Sequence, residues 1–165
     1  LSGCEPTLGK EHLLDLLECI MQSGYSLFIL ETNGIILGSD KSYVHRLAEF
    51  SEKLYVRVSF KAATPEGFQT RTGAEGRYYE LPFTALTYLL DSNIYARAAA
   101  MTDSRVMPET EKEILLQKLD EIDPHSDYCN TLEEEEIDFY DTTANRIKAF
   151  QDADFAEKLE REINR

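Results

Sequence analysis

Helix-like and strand-like segments alternate along the first two thirds of the chain, and this alternation limits the folds open to it. Four segments repeat apolar residues about one helical turn apart, and three short segments have the pattern of strands. The helices are predicted at residues 10–23, 42–53, 80–91 and 109–119, and the strands at residues 26–30, 54–60 and 94–101. The connections are too long for hairpins, so we expect parallel strands.

Parallel strands joined by helices occur in two architectures. One is an open doubly wound sheet, and the other is a β/α barrel or part of one, and right-handed crossovers are the rule in both. Both also bind their ligands at the carboxyl ends of the strands. Functional residues are therefore expected where the predicted strands end, and the pattern alone leaves the two architectures open.

The two faces of the second predicted strand differ in polarity, because side chains alternate between faces along a strand. One face carries Val56, Val58 and Phe60. The other face carries Tyr55, Arg57, Ser59 and Lys61. The apolar face is expected to contact helices. The polar face is expected to line an interior or a cleft, which is unusual for a buried parallel strand.

Charged residues of neighbouring strands are expected to meet on this polar face. Glu31 follows the first strand, and Arg97 lies in the third, on the same side as Ala99 and Met101. One interpretation is an internal salt-bridge network in which Glu31 neutralises Arg57 or Arg97, because buried charges need partners. The other is a functional pocket that uses these charges. The residues leave both interpretations open.

Negative charge is concentrated towards the C-terminus. The chain has a net charge of −14, and residues 133–136 are four consecutive glutamates. Binding to nucleic acid or to an anionic membrane is therefore not expected, and no apolar run approaches the ~20 residues of a membrane span. We interpret the glutamates as the solvated start of a terminal helix at residues 141–165, where acids suit the helix dipole, or as a docking surface for a partner.

The three cysteines, Cys4, Cys19 and Cys129, are too few and too widely spaced for a disulfide framework or a self-contained metal site. A reducing, cytoplasmic environment is therefore expected. Residues 2–7, with Gly3, Pro6 and Thr7, form the most distinctive segment just before the first helix. Glycine permits close backbone approach and proline fixes a turn, so this segment is suited to the amino and carboxylate groups of an amino-acid-like ligand.

In its order of motifs the chain resembles the radical S-adenosylmethionine enzymes over residues 1–120. Residues 2–8 resemble the glycine–glycine–glutamate–proline motif after that family's second strand, and residues 30–34 resemble its Thr-Asn-Gly turn after the third. The other similar segments are residues 56–61 for the fourth strand, residues 68, 72–74 and 85–90 for the region after that strand, and residues 94–101 for the fifth strand.

This resemblance implies a fold and an activity. The fold is a partial β/α (TIM-like) barrel of parallel strands over residues 1–122, truncated at the N-terminus, with an acidic helical extension at residues 123–165. In that family a [4Fe–4S] cluster on a three-cysteine loop reduces S-adenosylmethionine to methionine and a 5′-deoxyadenosyl radical, which abstracts hydrogen from a substrate. The loop would precede Leu1, so this chain is expected to be inactive alone and to bind no cluster.

The resemblance also implies cofactor-binding residues for S-adenosylmethionine. Around the amino group of its methionine part would lie Gly3, Cys4, Glu5 and Pro6. Near its ribose or carboxylate would lie Asn33, Ser59 and Lys61, and the strand around Ala99 to Met101 would border the adenine. Cys4 departs from the family pattern, because glycine is usual at its position.

The same resemblance implies partners. The longer parent is expected to use an electron donor and an unidentified substrate, either a small molecule or a protein. A missing first strand would leave a free sheet edge, and such edges pair with other chains, so we expect either oligomerisation or a rearranged N-terminal segment that covers the gap. The alternative function is a noncatalytic β/α module that binds a protein partner through its acidic tail.

Overall fold

The computed structural model describes residues 1, 4–136, 144–145, 148–149 and 152. In this part of the chain the helices are α1 (Lys10–Gln22), α2 (Ile35–Ser39), α3 (Lys41–Ala48), α4 (Pro65–Thr72), α5 (Leu81–Asp91), α6 (Glu109–Ile122) and α7 (Tyr128–Thr131). The strands are β1 (Phe28–Thr32), β2 (Leu54–Phe60), β3 (Tyr95–Met101) and β4 (Glu133–Glu135). Among the described helices, none is long and apolar enough to cross a bilayer.

The four strands form one parallel sheet in the order β1-β2-β3-β4, which confirms the parallel arrangement expected from the sequence. Neighbours in the sheet are also neighbours in the chain, and the buried core lies against one face of the sheet. A doubly wound sheet instead reverses its strand order and carries helices on both faces. The described architecture is therefore mixed α/β and compatible with a partial β/α fold.

The buried face of the sheet forms the core with residues of α1, α3, α5 and α6. In β2, Val56, Val58 and Phe60 are fully buried. Phe60 packs against Phe83 of α5, with the ring centroids 4.8 Å apart. The intervening residues of β2, among them Arg57, are partly exposed on the other face. The predicted division of the strand into an apolar and a polar face is confirmed.

Helix α4 occupies a segment in which the sequence pattern predicts neither a helix nor a strand. Thr64 caps the helix by accepting a hydrogen bond from the Gly67 amide at 3.1 Å, and Pro65 lies in the first turn, where proline is tolerated. The helix ends at Gly73, whose φ of +74° favours glycine. Only Phe68 of this helix is buried, so apolar periodicity provided no signal for it.

The first strand lies further along the chain than predicted, and the turn after it lies at the predicted residues. β1 spans Phe28–Thr32 rather than residues 26–30, because the strand continues through Glu31, which pairs with Arg57 of β2. The turn then places Gly34 at a φ of +75°, in the left-handed region that glycine tolerates best. The five-residue helix α2 follows directly, and the sequence pattern missed it.

The acidic run is a strand, so its interpretation as a helix start is wrong. Glu133–Glu135 form β4 and pair in parallel with the last residues of β3. The physical reason is that cationic side chains of the sheet and of α6 neutralise these glutamates.

The predicted terminal helix at residues 141–165 lies outside the described residues apart from a few positions. The boundary at residue 123 stays a prediction, and Tyr128 beyond it is buried in the core.

The outer edge of β1 contacts the first residue of the chain. The Leu1 amino group donates to the Ile29 carbonyl, and the Glu31 amide donates to the Leu1 carbonyl at 3.0 Å. This is the hydrogen-bond pattern of a parallel bridge. Leu1, Leu27 and Ile29 are exposed near this edge. Such an edge is suited to a further strand, and oligomerisation through it stays a prediction.

Candidate functional site

A polar pocket of about 260 Å³ lies at the carboxyl ends of β1 and β2. Its lining consists of Cys4, Glu5, Glu31, Thr32, Asn33, Arg57, Ser59, Lys61 and Glu135. Five of these were predicted from the sequence as cofactor-binding residues: Cys4, Glu5, Asn33, Ser59 and Lys61. The pocket lies where parallel β/α proteins bind their ligands, so we take it as the candidate site.

The Glu5 carboxylate joins the segment before α1 to the end of β1. Its Oε1 atom accepts hydrogen bonds from the Thr7 amide at 3.1 Å, from the Thr7 hydroxyl at 2.5 Å and from the Thr32 hydroxyl at 2.7 Å. Its Oε2 atom accepts one from the Asn33 amide at 2.7 Å. A carboxylate oxygen accepts about two hydrogen bonds. Oε2 therefore keeps capacity for one more donor, and no cation within the described residues forms a salt bridge with Glu5.

The backbone at Cys4 explains why glycine suits this position of the motif. Cys4 is exposed and has a φ of +55°, in the left-handed region that residues other than glycine rarely adopt. Pro6 begins the 3₁₀ turn that Glu5 caps, and it does not line the pocket. Gly3 lies outside the described residues, so its predicted role stays a prediction.

Asn33 lies in the turn between β1 and α2. Its Oδ1 atom accepts a hydrogen bond from the Ile35 amide at 2.9 Å, and the Thr32 hydroxyl accepts one from the Gly34 amide at 3.1 Å. These bonds fix the turn and leave the NH₂ group of the Asn33 side chain for a ligand. Ser59 adds a hydroxyl group to the pocket lining from β2.

Arg57 is the centre of a salt-bridge network on the polar face of the sheet. Its Nη1 atom lies 3.0 Å from Glu31 and 3.0 Å from Glu135, and its Nε atom pairs with Glu133. Glu31 therefore neutralises Arg57, as one of the two interpretations of the sequence predicted. Arg97 forms no salt bridge within the described part of the chain and lies over an aromatic ring of its own strand.

The sequence pattern missed two of the three glutamates in this network, Glu133 and Glu135. Glu133 pairs in register with Ala99, and Glu135 pairs with Met101, so both point to the face that carries Arg57. The two glutamates are two residues apart, which is the spacing of side chains on one face of a strand. A run of consecutive acids is not typical of a strand, however, so this spacing did not lead to the prediction of one. Ala99 and Met101 lie on this face outside the pocket lining, and their predicted place beside an adenine stays a prediction.

The network lowers the pKa values of the glutamates of β4. Burial alone would raise the pKa of the Glu135 carboxyl, but contacts with Lys61 and Arg57 outweigh burial and lower it. The pKa of Glu133 is lowered in the same way, against burial, by hydrogen bonds from Tyr55 and Arg57. A lowered folded-state pKa means that this stabilisation is present at neutral pH and is lost as the pH falls through that pKa.

Lys61 is held through its side chain and through its backbone. Its Nζ atom lies 3.0 Å from Glu135, and its carbonyl accepts a hydrogen bond from Arg71 Nε. Arg71 also donates to the Val106 carbonyl at 2.9 Å and pairs with Glu111. Helices α4 and α6 therefore fix the loop that carries Lys61. No local pattern signals the Arg71–Glu111 pair, because the two residues are 40 positions apart.

The cysteines of this chain do not fit an iron–sulfur cluster. Such clusters need several thiolates close together. Cys4, Cys19 and Cys129 are exposed and belong to three separate segments, before α1, within α1 and within α7. Across the described ranges, no group of three or more histidine, cysteine or acidic side chains could hold a metal ion.

Comparison with known proteins gave no relative. No family model matches the chain, and no curated protein or solved structure gave a significant match.

The pocket combines an anionic acceptor with a cationic donor. Glu5 Oε2 has remaining acceptor capacity, and the Lys61 ammonium has three donors, of which Glu135 takes one. Together with Glu31 and Arg57, the lining carries three carboxylates and two cations. Such a set can bind a ligand that presents an ammonium group and a carboxylate.

Proposed function

We propose that this chain is the cofactor-binding part of a radical S-adenosylmethionine enzyme, with the fold of a partial β/α barrel. One observation carries the proposal. The open acceptor of Glu5 and the ammonium of Lys61 line the same pocket at the carboxyl ends of β1 and β2. Residues of the glycine–glutamate–proline-like segment, of the Thr-Asn-Gly turn and of β2 thus contribute to one site.

The methionine part of S-adenosylmethionine matches this set of donors and acceptors. Its ammonium group would donate to Glu5 Oε2, and its carboxylate would accept from Lys61 and from the Asn33 side chain. The pocket volume of about 260 Å³ lies just below the ~300–1,000 Å³ of typical ligand sites. The pocket therefore suits the amino-acid end of the cofactor, and the adenosyl group would extend along the sheet towards Ala99 and Met101.

In the proposed parent enzyme, a [4Fe–4S] cluster would be held by residues that the described chain does not supply, and when bound it would provide the electron for cleavage of S-adenosylmethionine. The residues of this chain would bind S-adenosylmethionine and orient it towards a substrate. The substrate and the electron donor are unidentified. Because its cysteines do not fit a cluster, we propose that the chain alone is inactive.

A partner-binding module is the second candidate, and the contacts of the acidic run weigh against it. Glu133, Glu134 and Glu135 are engaged by Arg57, Lys61 and Lys112. Three of the four consecutive acids are therefore neutralised by basic side chains of the same chain and are less available to a docking partner.

The proposal predicts that Lys61→Ala weakens the binding of S-adenosylmethionine without unfolding the chain. Loss of a hydrogen bond to a charged group is worth about 1.5–3 kcal/mol, so the dissociation constant should rise about 10- to 150-fold. Isothermal titration calorimetry of the cofactor into the chain measures this change, and a thermal melt checks the fold. The matched control is Lys118→Ala, because Lys118 pairs with Glu80 away from the pocket. Equal affinities of the two variants would refute the proposed site.

A further inference from the structure

Strand β4 is held on the sheet by charge rather than by apolar packing. Its three residues are all glutamates, and each contacts a basic side chain of another element. Glu133 also accepts a hydrogen bond from the Tyr55 hydroxyl at 2.7 Å. None of the three is a buried core residue, whereas β1, β2 and β3 each place apolar side chains in the core. Besides the backbone pairing with β3, the attachment of β4 therefore depends on the cations that its glutamates contact.

Two of these cations belong to the candidate site. Glu135 lies 3.0 Å from Lys61 Nζ and 3.0 Å from Arg57 Nη1, and it lines the pocket itself. A ligand carboxylate at the two remaining donors of Lys61 would lie beside the Glu135 carboxylate that occupies the third. The two carboxylates have the same charge, so they repel each other and compete for the positive charge of one ammonium group.

We propose that Glu135 is an internal competitor for the carboxylate subsite, and that a bound ligand carboxylate displaces it from Lys61 and loosens β4 from β3. The inference rests on the proposed function and adds a regulatory element to the same site. An edge strand of three paired residues is short enough to be released at little cost to the rest of the sheet. Ligand affinity then depends on how firmly β4 is attached.

Binding measurements with matched variants test the competition. We expect Glu135→Gln to bind S-adenosylmethionine about 2- to 5-fold more tightly than the parent chain, because the competing pair is partly exposed and weak. The control is Glu134→Gln, which removes the same charge from the same strand. Glu134 pairs with Lys112, outside the pocket lining. Equal or weaker binding by Glu135→Gln, or the same gain in Glu134→Gln, overturns the proposal and leaves the proposed function intact.

A second measurement needs no cofactor and uses acetate as the carboxylate probe. The Thr102 amide donates to the Glu135 carbonyl at 3.3 Å, so its hydrogen exchange reports the attachment of β4. Acetate is expected to accelerate this exchange more than chloride does at equal ionic strength. The extra acceleration should disappear in Lys61→Ala. Equal effects of acetate and chloride refute the competition. If acetate has a specific effect but no variant binds S-adenosylmethionine, the proposed function is refuted, whereas the role of Glu135 as a competitor for carboxylates is supported.

Discussion

Replacing Phe60 with alanine is expected to lower the free energy of unfolding by about 3–5 kcal/mol, the usual cost of removing a buried aromatic ring. Phe60 has no exposed surface, and its ring packs against Phe83 of α5. It lies at the end of β2, on the face opposite to Ser59 and Lys61, so the side chain that is removed does not line the pocket. The loss of stability arises because removal of the ring leaves a cavity between the sheet and α5.

Urea denaturation of the Phe60→Ala variant measures this effect, and Tyr25→Ala provides the control. Tyr25 is also aromatic, but 68% of its surface is exposed. Its replacement should therefore change the unfolding midpoint very little. Comparable losses in the two variants would contradict the assignment of Phe60 to the core.

The second large effect is expected at the buried pair of Arg71 and Glu111. The two side chains are 10% and 9% exposed. Arg71 donates to the carbonyls of Lys61 and Val106, and Glu111 accepts from the Ala63 amide at 2.9 Å. Removing one member of a buried pair leaves an uncompensated charge, which costs about 3–5 kcal/mol. We therefore expect Arg71→Ala to destabilise the chain by this amount.

An exposed pair of the same residue types provides the comparison. Arg46 and Glu11 approach within 2.8 Å, but their side chains are 46% and 68% exposed. Arg46→Ala should therefore leave the unfolding midpoint almost unchanged, because water screens such pairs. Chemical denaturation of the two arginine variants distinguishes these outcomes. A small effect of Arg71→Ala would show that the loops after β2 and β3 are not held by this pair.

The parts of the fold that could be predicted are those in which a local pattern decides the structure. The alternation along β2 assigned Val56 and Phe60 to the core and Arg57 to the polar face, because a strand repeats every two residues. Helix α4 was not predicted, although Thr64 caps its N-terminus and Gly73 ends it. It buries too little apolar surface to produce a periodic pattern.

The contacts that complete the candidate site could not be predicted, because they join residues far apart in the chain. Glu133 meets Arg57 only because a run of acids forms an edge strand, and acids favour strands poorly. Glu5 was singled out as a cofactor contact. Its links to Thr7 and Thr32, which fix the turn around the pocket, appear only in the folded chain.

The most direct test of the proposed site is a titration of the ¹⁵N-labelled chain with S-adenosylmethionine, followed by nuclear magnetic resonance. If the cofactor binds in this pocket, the amide signals of Glu5, Asn33 and Lys61 should shift with a common dissociation constant. Signals of the groove between α5 and α6, which includes Thr87 and Ile122, should not move. Shifts confined to that groove, or no shifts at millimolar cofactor, would contradict the central claim.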